Sequence, residues 1–192
     1  MNGEYIFFDT ETTGVPRDYK APYTDTDNWP RLVQFSWLVG TAHQSVAREE
    51  DHIIKPVGFC IPAETSNIHG ITTEMALARG EDLRSVMQKF ISDVAGARYI
   101  VGHNVSFDVN VVRCECVRLG LPDPFRNKII ICTMMSTINF CKIPNYYGYK
   151  WPKLDELHRK LFGRSFTNAH NSLADIRATY DCFWELKKRG IL

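Results

Sequence analysis

The chain has 192 residues, 44% hydrophobic and 23% charged, with 23 Lys and Arg against 22 Asp and Glu. That length suits one substantial core, and the composition is that of an ordinary globular protein, with no window apolar enough to span a membrane. The near-neutral balance argues against a protein that coats long duplex DNA, which needs a clear positive excess, and leaves open an enzyme that grips a short nucleic-acid end.

"MNGEY" lacks the basic and apolar segments of a signal peptide. The six cysteines, Cys60, Cys114, Cys116, Cys132, Cys141 and Cys182, form no CxxC pair. Reduced, buried cysteines in a cytoplasmic protein are therefore expected. Tyr5 to Phe8 is aromatic and β-branched and predicts a buried strand ending at Asp9. "TTGVPRDYKAPYTDTDNWP" reads as a long loop of the kind that is functional or mobile. "RLVQFSWLVG" predicts a second strand, Leu32 to Val39, and "SVAREEDHIIKP" a third that ends at Pro56. These three form a meander.

The period then changes. Leu83, Val86, Met87, Phe90, Ile91 and Val94 fall at helical spacing. A short apolar strand follows, Tyr99 to Gly102, and then a helix in "SFDVNVVRCECVRLGLP" that Gly120 and Pro122 stop. "NKIIICT" is a further strand, "KLDELHRKLFG" a short helix closed by Gly163, and "NSLADIRATYDCFWELKKRG" a closing helix. Strands first and alternating helix and strand afterwards predict an α/β fold with a mixed sheet, a single domain over 1–192.

Chemistry concentrates at three element ends. Asp9 and Glu11 are two residues apart in a strand and so share a face. Adjacent carboxylates repel unless a positive charge intervenes, and a hard divalent cation with oxygen preference supplies one; a cap at the solvent edge of a strand is the other reading. Asp108 in "GHNVSFDVNVV" and Asp175 in "NAHNSLADIRATYD" each fall in the first turns of a helix, with His170 five residues before Asp175. Either acid alone reads as a dipole complement.

Together, "FFDTETTG", "HNVSFD" and "AHNSLAD" resemble the three motifs of the DEDD 3′→5′ exonucleases, and the spacing of His170 to Asp175 resembles the DEDDh branch. The likeness runs from Tyr5 to about Leu186. It is similar above all to the proofreading epsilon subunit of bacterial DNA polymerase III and its stand-alone cousins, and more distantly to ribonuclease T and oligoribonuclease. The resemblance implies a ribonuclease H-like fold and a site for two Mg²⁺ or Mn²⁺ ions. Asp9, Glu11, Asp108 and Asp175 are the implied ligands and His170 the implied general base for an attacking water. Thr10 is expected to offer its backbone to the terminal nucleotide, with Thr12 and Gly14 shaping the turn. "AETSNIHGIT" resembles a further family segment, in which Glu64 contacts the terminal sugar or 3′ hydroxyl and His69 the nucleotide; an ordinary turn between two helices fits the same residues.

The implied substrate is a single-stranded or frayed 3′ end, DNA favoured over RNA, and the implied products are nucleoside 5′-monophosphates. "KKRGIL" ends the chain just after the closing helix, which favours a stand-alone enzyme over a polymerase subunit. A haloacid-dehalogenase-type phosphotransferase would need an Asp where Glu11 stands, and a non-catalytic docking module would be expected to have lost site acids that are all present here. "PNYYGYKWPKL" reads as a loop held to the core through Trp151 and Leu154, or as a stacking surface for single-stranded bases. His103 reads as a satisfied strand-end residue, and His43, His52 and His158 as surface residues.

Overall fold

A computed structural model describes residues 4–192; the reading of residues 1–3 as part of a leaderless N-terminus lies outside them. Three strands, β1 (Tyr5–Thr12), β2 (Leu32–Gly40) and β3 (Val46–Ile53), form the antiparallel meander. β4 (Tyr99–Gly102) and β5 (Ile129–Cys132) then add in parallel on the other side of β1. The order is β3-β2-β1-β4-β5, so β1 is the central strand. The mixed α/β architecture is as the sequence predicts.

Period-two alternation along β1 separates two cores. Ile6 and Phe8 face one side, with Phe35, Trp37 and Ile100, against helices α3 (Leu83–Gly96) and α4 (Val105–Leu119). Tyr5 and Phe7 face the other, with Leu38 and Val101, against Ile176, Phe183 and Trp184 of α8 (Ser172–Lys188). Short helices complete the chain: α1 (Ala63–His69), α2 (Thr73–Arg79), α5 (Thr133–Ser136), α6 (Ile138–Cys141) and α7 (Leu154–Phe162). α1 and α2 are seven residues each, too short for a clear apolar stripe. Among the described residues no helix is long and apolar enough to cross a membrane.

β1 continues to Thr12, past the predicted end at Asp9, because Glu11 still pairs with Gln34 across the ladder. β4 stops at Gly102, so the last residues of β1 keep a β2 neighbour on one side only. A side chain at Gly102 would put its Cβ 2.8 Å from Val105 Cγ2 and 3.3 Å from the Phe8 carbonyl. The glycine thus lets α4 begin directly against the strand end.

Residues 13–31 form an ordered loop locked onto α4. Glu115 is fully buried and accepts from Arg31 Nε at 2.9 Å and from the Leu32 amide at 3.1 Å. Arg118 lies 3.1 Å from the same oxygen and donates to the carbonyls of Trp29 (2.7 Å) and Pro30 (3.2 Å). Several smaller expectations change. His52 is buried between Glu81 (2.7 Å) and Glu50 (3.0 Å), and His158 is buried with Nδ1 on the Arg164 carbonyl (2.8 Å), so neither is a surface residue. Cys60 is exposed and Cys132 half-buried, while the other four cysteines are buried.

Truncating Glu115 leaves two arginines facing a desolvated gap. Because Arg31 keeps partial solvent contact, Glu115→Ala is expected to cost about 2–3 kcal/mol, read as a drop in the denaturant midpoint in equilibrium unfolding.

Candidate active site

The strand end built above carries the acids. Asp9 and Glu11 project from β1 on the α8 side, opposite Ser36 and Gln34 of β2. These two polar residues seat the start of α8. Ser36 Oγ donates to Asp51 Oδ1 (2.7 Å), so its other contact, Ser172 Oγ at 2.5 Å, is one it accepts. Gln34 donates to the same Asp51 oxygen (2.8 Å) and accepts from the Ser172 amide at 3.4 Å. Ser172 is fully buried. Asn171 caps α8 by accepting from the Ala174 amide (3.2 Å). The first turn of α8 is thereby held on the face that carries Asp9 and Glu11, and Asp175 arrives beside them. One carboxylate oxygen from each of Asp9, Glu11 and Asp175 lies within 4.8 Å of the others.

Asp108 comes from the opposite face. It stands in the first turn of α4 after Asn104, whose φ of +62° lets the chain turn sharply out of β4. Asp108 Oδ1 accepts from the Thr10 amide (3.1 Å) and hydroxyl (2.7 Å). The Thr10 N–H thus has a partner within the chain, because β4 has ended and Asp108 takes the place of a neighbouring strand. Asp108 is outside the close trio, yet its charge acts on Asp9 and Glu11.

His170 is exposed, with a left-handed φ of +67°, and its amide donates to Asp175 Oδ2 at 3.1 Å. That contact sets the imidazole-bearing residue next to the trio. A cleft of about 200 Å³ opens on the other side of Glu11, lined by Thr10, Thr12, Val15, Ile68, His69 and Phe107. Val15 and Ile68 are exposed apolar residues there. His69 is buried; its Nδ1 accepts from the Ile71 amide (3.1 Å), which makes Nε2 the protonated nitrogen, and Nε2 has no hydrogen-bond partner among the described residues. Glu64 is exposed on the first turn of α1 and does not line the cleft. His103 is a satisfied strand-end residue, held by Thr133 Oγ1 (3.0 Å) and the Pro152 carbonyl (2.9 Å), and burial lowers its pKa to about 4.

Gln34, Ser36, Asp51 and Ser172 escaped the sequence reading. The available signal was a pair of polar residues at alternate positions in the otherwise apolar "LVQFSWLV".

Desolvation is the largest influence on every acid here. It raises Asp9 well above the carboxylate range, with the charges of Asp108, Asp175 and Glu11 adding to it. Glu11 rises to about 8, through burial and then the charges of Asp175 and Asp108. Burial carries Asp108 to about 7 against the Thr10 hydrogen bonds, and Asp175 to about 6 against the His170 amide. Three convergent carboxylates with hard oxygen donors fit a divalent cation of the Mg²⁺ or Mn²⁺ kind.

Comparison with known proteins gives the family. The RNase T exonuclease family model matches residues 6–183, and the chain belongs to that exonuclease family. It is 28% identical over 186 residues to a PolC-type DNA polymerase III of Pediococcus pentosaceus, covering 96% of this chain but 11% of that one. It is 30% identical over 193 residues to a DNA polymerase III subunit epsilon-like protein of Rhodobacter capsulatus, covering 97% of this chain and 25% of that protein. An exonuclease of Escherichia phage 186, CP81, is 26% identical, with 99% of this chain and 91% of the phage protein covered. Among solved structures, Escherichia coli exonuclease I in complex with single-stranded DNA shares the fold, with a TM-score of 0.75 and 24% identity over 98% of this chain and 41% of the other.

The raised acids make a stability prediction. An unfolded carboxylate titrates near pH 4, whereas folded Asp175, Asp108 and Glu11 do so at about 6, 7 and 8. Between these limits the folded state binds more protons, so stability falls as pH rises. The expected result is a thermal midpoint of chelator-treated protein that declines from pH 5 to pH 8.5. Mn²⁺ should restore it at pH 8 and do so much less in Asp9→Asn.

Proposed function

We propose that the chain is a DEDDh-type, divalent-metal-dependent 3′→5′ exonuclease acting on single-stranded DNA ends and releasing nucleoside 5′-monophosphates. The observation that carries the proposal is the convergence of Asp9, Glu11 and Asp175 within 4.8 Å beside a cleft lined by apolar side chains. Support for DNA comes from the relatives, which are DNA polymerase III proteins, and from exonuclease I, which shares the fold and is solved in complex with single-stranded DNA.

Asp9, Glu11 and Asp175 would hold the metals, with Asp108 as a more distant contributor. Two bound ions supply Lewis-acid stabilisation to both ends of an in-line displacement at phosphorus. The chain's own groups do the rest. Val15, Ile68 and Phe107 give the terminal base an apolar seat, with His69 buried behind it and facing the nucleotide from the cleft wall. Glu64, exposed on the first turn of the same helix α1 that carries Ile68 and His69, would contact the terminal sugar. His170, exposed beside Asp175, takes the proton of the attacking water on an imidazole nitrogen as the water oxygen bonds to phosphorus. The P–O3′ bond then breaks, and the departing 3′ oxygen takes up a proton.

The test is digestion of 5′-labelled single-stranded DNA and RNA of matched sequence with Mg²⁺, Mn²⁺ or chelator. A ladder shrinking from the 3′ end is expected on DNA, absent with chelator and in Asp9→Ala. A ladder on RNA alone would reassign the substrate to the ribonuclease T type. No ladder under any condition would overturn the enzyme reading in favour of a non-catalytic module. His170→Ala is expected to lower kcat by about 10²- to 10⁴-fold while oligonucleotide binding persists. Ile68→Ser is expected to raise KM about tenfold through lost apolar contact, with kcat little changed.

A further inference from the structure

Between α6 and α7 the chain forms a small hairpin outside the main sheet, β6 (Pro144–Asn145) and β7 (Gly148–Tyr149). Its aromatic side chains stand in solvent: Tyr146 is 93% exposed, Tyr147 92%, Tyr149 46% and Trp151 62%. The sequence reading that holds this loop to the core through Trp151 is therefore not what the fold does. Aromatic rings normally dominate cores because each buries so much area. Four left in water within one short stretch ask for a ligand.

The hairpin is built to present them. The Tyr147 amide donates to Asn145 Oδ1 at 2.9 Å, and Gly148 takes a φ of +128° that disfavours any side chain. The Lys150 amide closes on the Ile143 carbonyl (2.9 Å), and its ammonium is held by both oxygens of Glu156 at 2.6 and 2.7 Å. The foot is fixed as well: Pro152 is buried and its carbonyl accepts from His103 Nε2 at 2.9 Å.

That anchor places the hairpin relative to the carboxylates. His103 directly follows β4, which runs parallel beside β1, so the foot is tied to the end of the sheet at which Asp9 and Glu11 stand. Charge agrees with position. Residues 142–164 contain six Lys and Arg and two acids, in a chain whose net charge is +1. Both acids are paired, Glu156 with Lys150 and Asp155 with Arg159. Lys142 and Lys153 flank the aromatic stretch and are exposed.

From this juxtaposition we infer that the hairpin is a stacking platform for unpaired bases of a single-stranded nucleic acid, a few nucleotides to the 5′ side of the one cleaved, with Lys142 and Lys153 against its phosphates. The inference rests on the exonuclease reading for the direction of the strand and on the hairpin alone for the mode of binding. Every base has a π face, so such a platform is indifferent to sequence.

Trp151 provides a direct probe, since Trp29, Trp37 and Trp184 are buried. The experiment titrates the protein, with Ca²⁺ in place of Mg²⁺ to suppress hydrolysis, with oligo(dT) and with a blunt duplex. Intrinsic fluorescence and the anisotropy of a 5′-labelled oligonucleotide are followed together. Quenching by oligo(dT) but not by the duplex is expected, lost in Trp151→Phe. Affinity is expected to fall about tenfold in Tyr146→Ala and in Tyr147→Ala and to be kept in the Phe variants, with thermal midpoints unchanged. Binding without quenching, or affinity unmoved by the alanine variants, would overturn the inference and leave the hairpin to a protein partner. Absence of binding by the wild-type protein would overturn it too. A protein that digests DNA without quenching keeps the exonuclease reading and loses the platform; one that is quenched yet never digests does the reverse.

Discussion

Like charges repel most where water is scarce, and this chain brings four carboxylates to the end of one central strand. Asp9 and Glu11 leave the same face of β1, Asp175 descends on them from α8, and Asp108 reaches round from α4. No Lys or Arg among the described residues pairs with them; the compensation is hydrogen bonding, from Thr10 to Asp108 and from the His170 amide to Asp175, with the His170 charge also acting on Asp175. Such an arrangement persists only if the surroundings over-determine it. Two separate aromatic cores do so, one on each face of β1, so that neither helix can retreat from the strand end without exposing large apolar side chains.

The polar relay between the sheet and α8 gives that constraint its precision. A helix packed only by Ile176, Phe183 and Trp184 would be free to slide along the apolar face of the sheet by a fraction of a turn. Ser172 on Ser36 and Gln34, with Asp51 behind them, removes that freedom at the helix start, where Asp175 sits. The same division holds on the other face, where Gly102 sets how closely α4 begins and Thr10 fixes Asp108. The geometry of the carboxylate cluster is a matter of buried hydrogen bonds laid over generic hydrophobic packing.

This division also explains what could be read from the sequence. Asp9 and Glu11 were legible because strand period two is local, and Asp175 with His170 because a helix start is local. The five-strand mixed order followed from strands that precede alternating helix and strand. The relay was not legible, since Ser36 and Ser172 are 136 residues apart and nothing local to either one names the other as its partner. His52 and His158 were read as surface because their partners, Glu81 and the Arg164 carbonyl, come from other segments. Trp151 was misread for the opposite reason: composition says a tryptophan is buried, and only the hairpin's geometry shows that it is not.

On the proposed exonuclease reading, a negative site must still attract a polyanion. With a net charge of +1 the molecule has no global field to do so, and metal ions neutralise only the immediate end of a strand. The remaining attraction has to come from short-range contacts beside the carboxylates. The structure offers two kinds, an apolar cleft on the α1 side of Glu11 and a basic aromatic hairpin tethered through His103. Both act on bases more than on phosphates. An enzyme held to its substrate in this way favours ends whose bases are already unpaired, because a stacked duplex presents neither the terminal base to the cleft nor free π faces to the hairpin. On the proposed reading, selection for frayed or single-stranded ends would follow from the weakness of the electrostatic grip, with no need for a device that recognises mispairing.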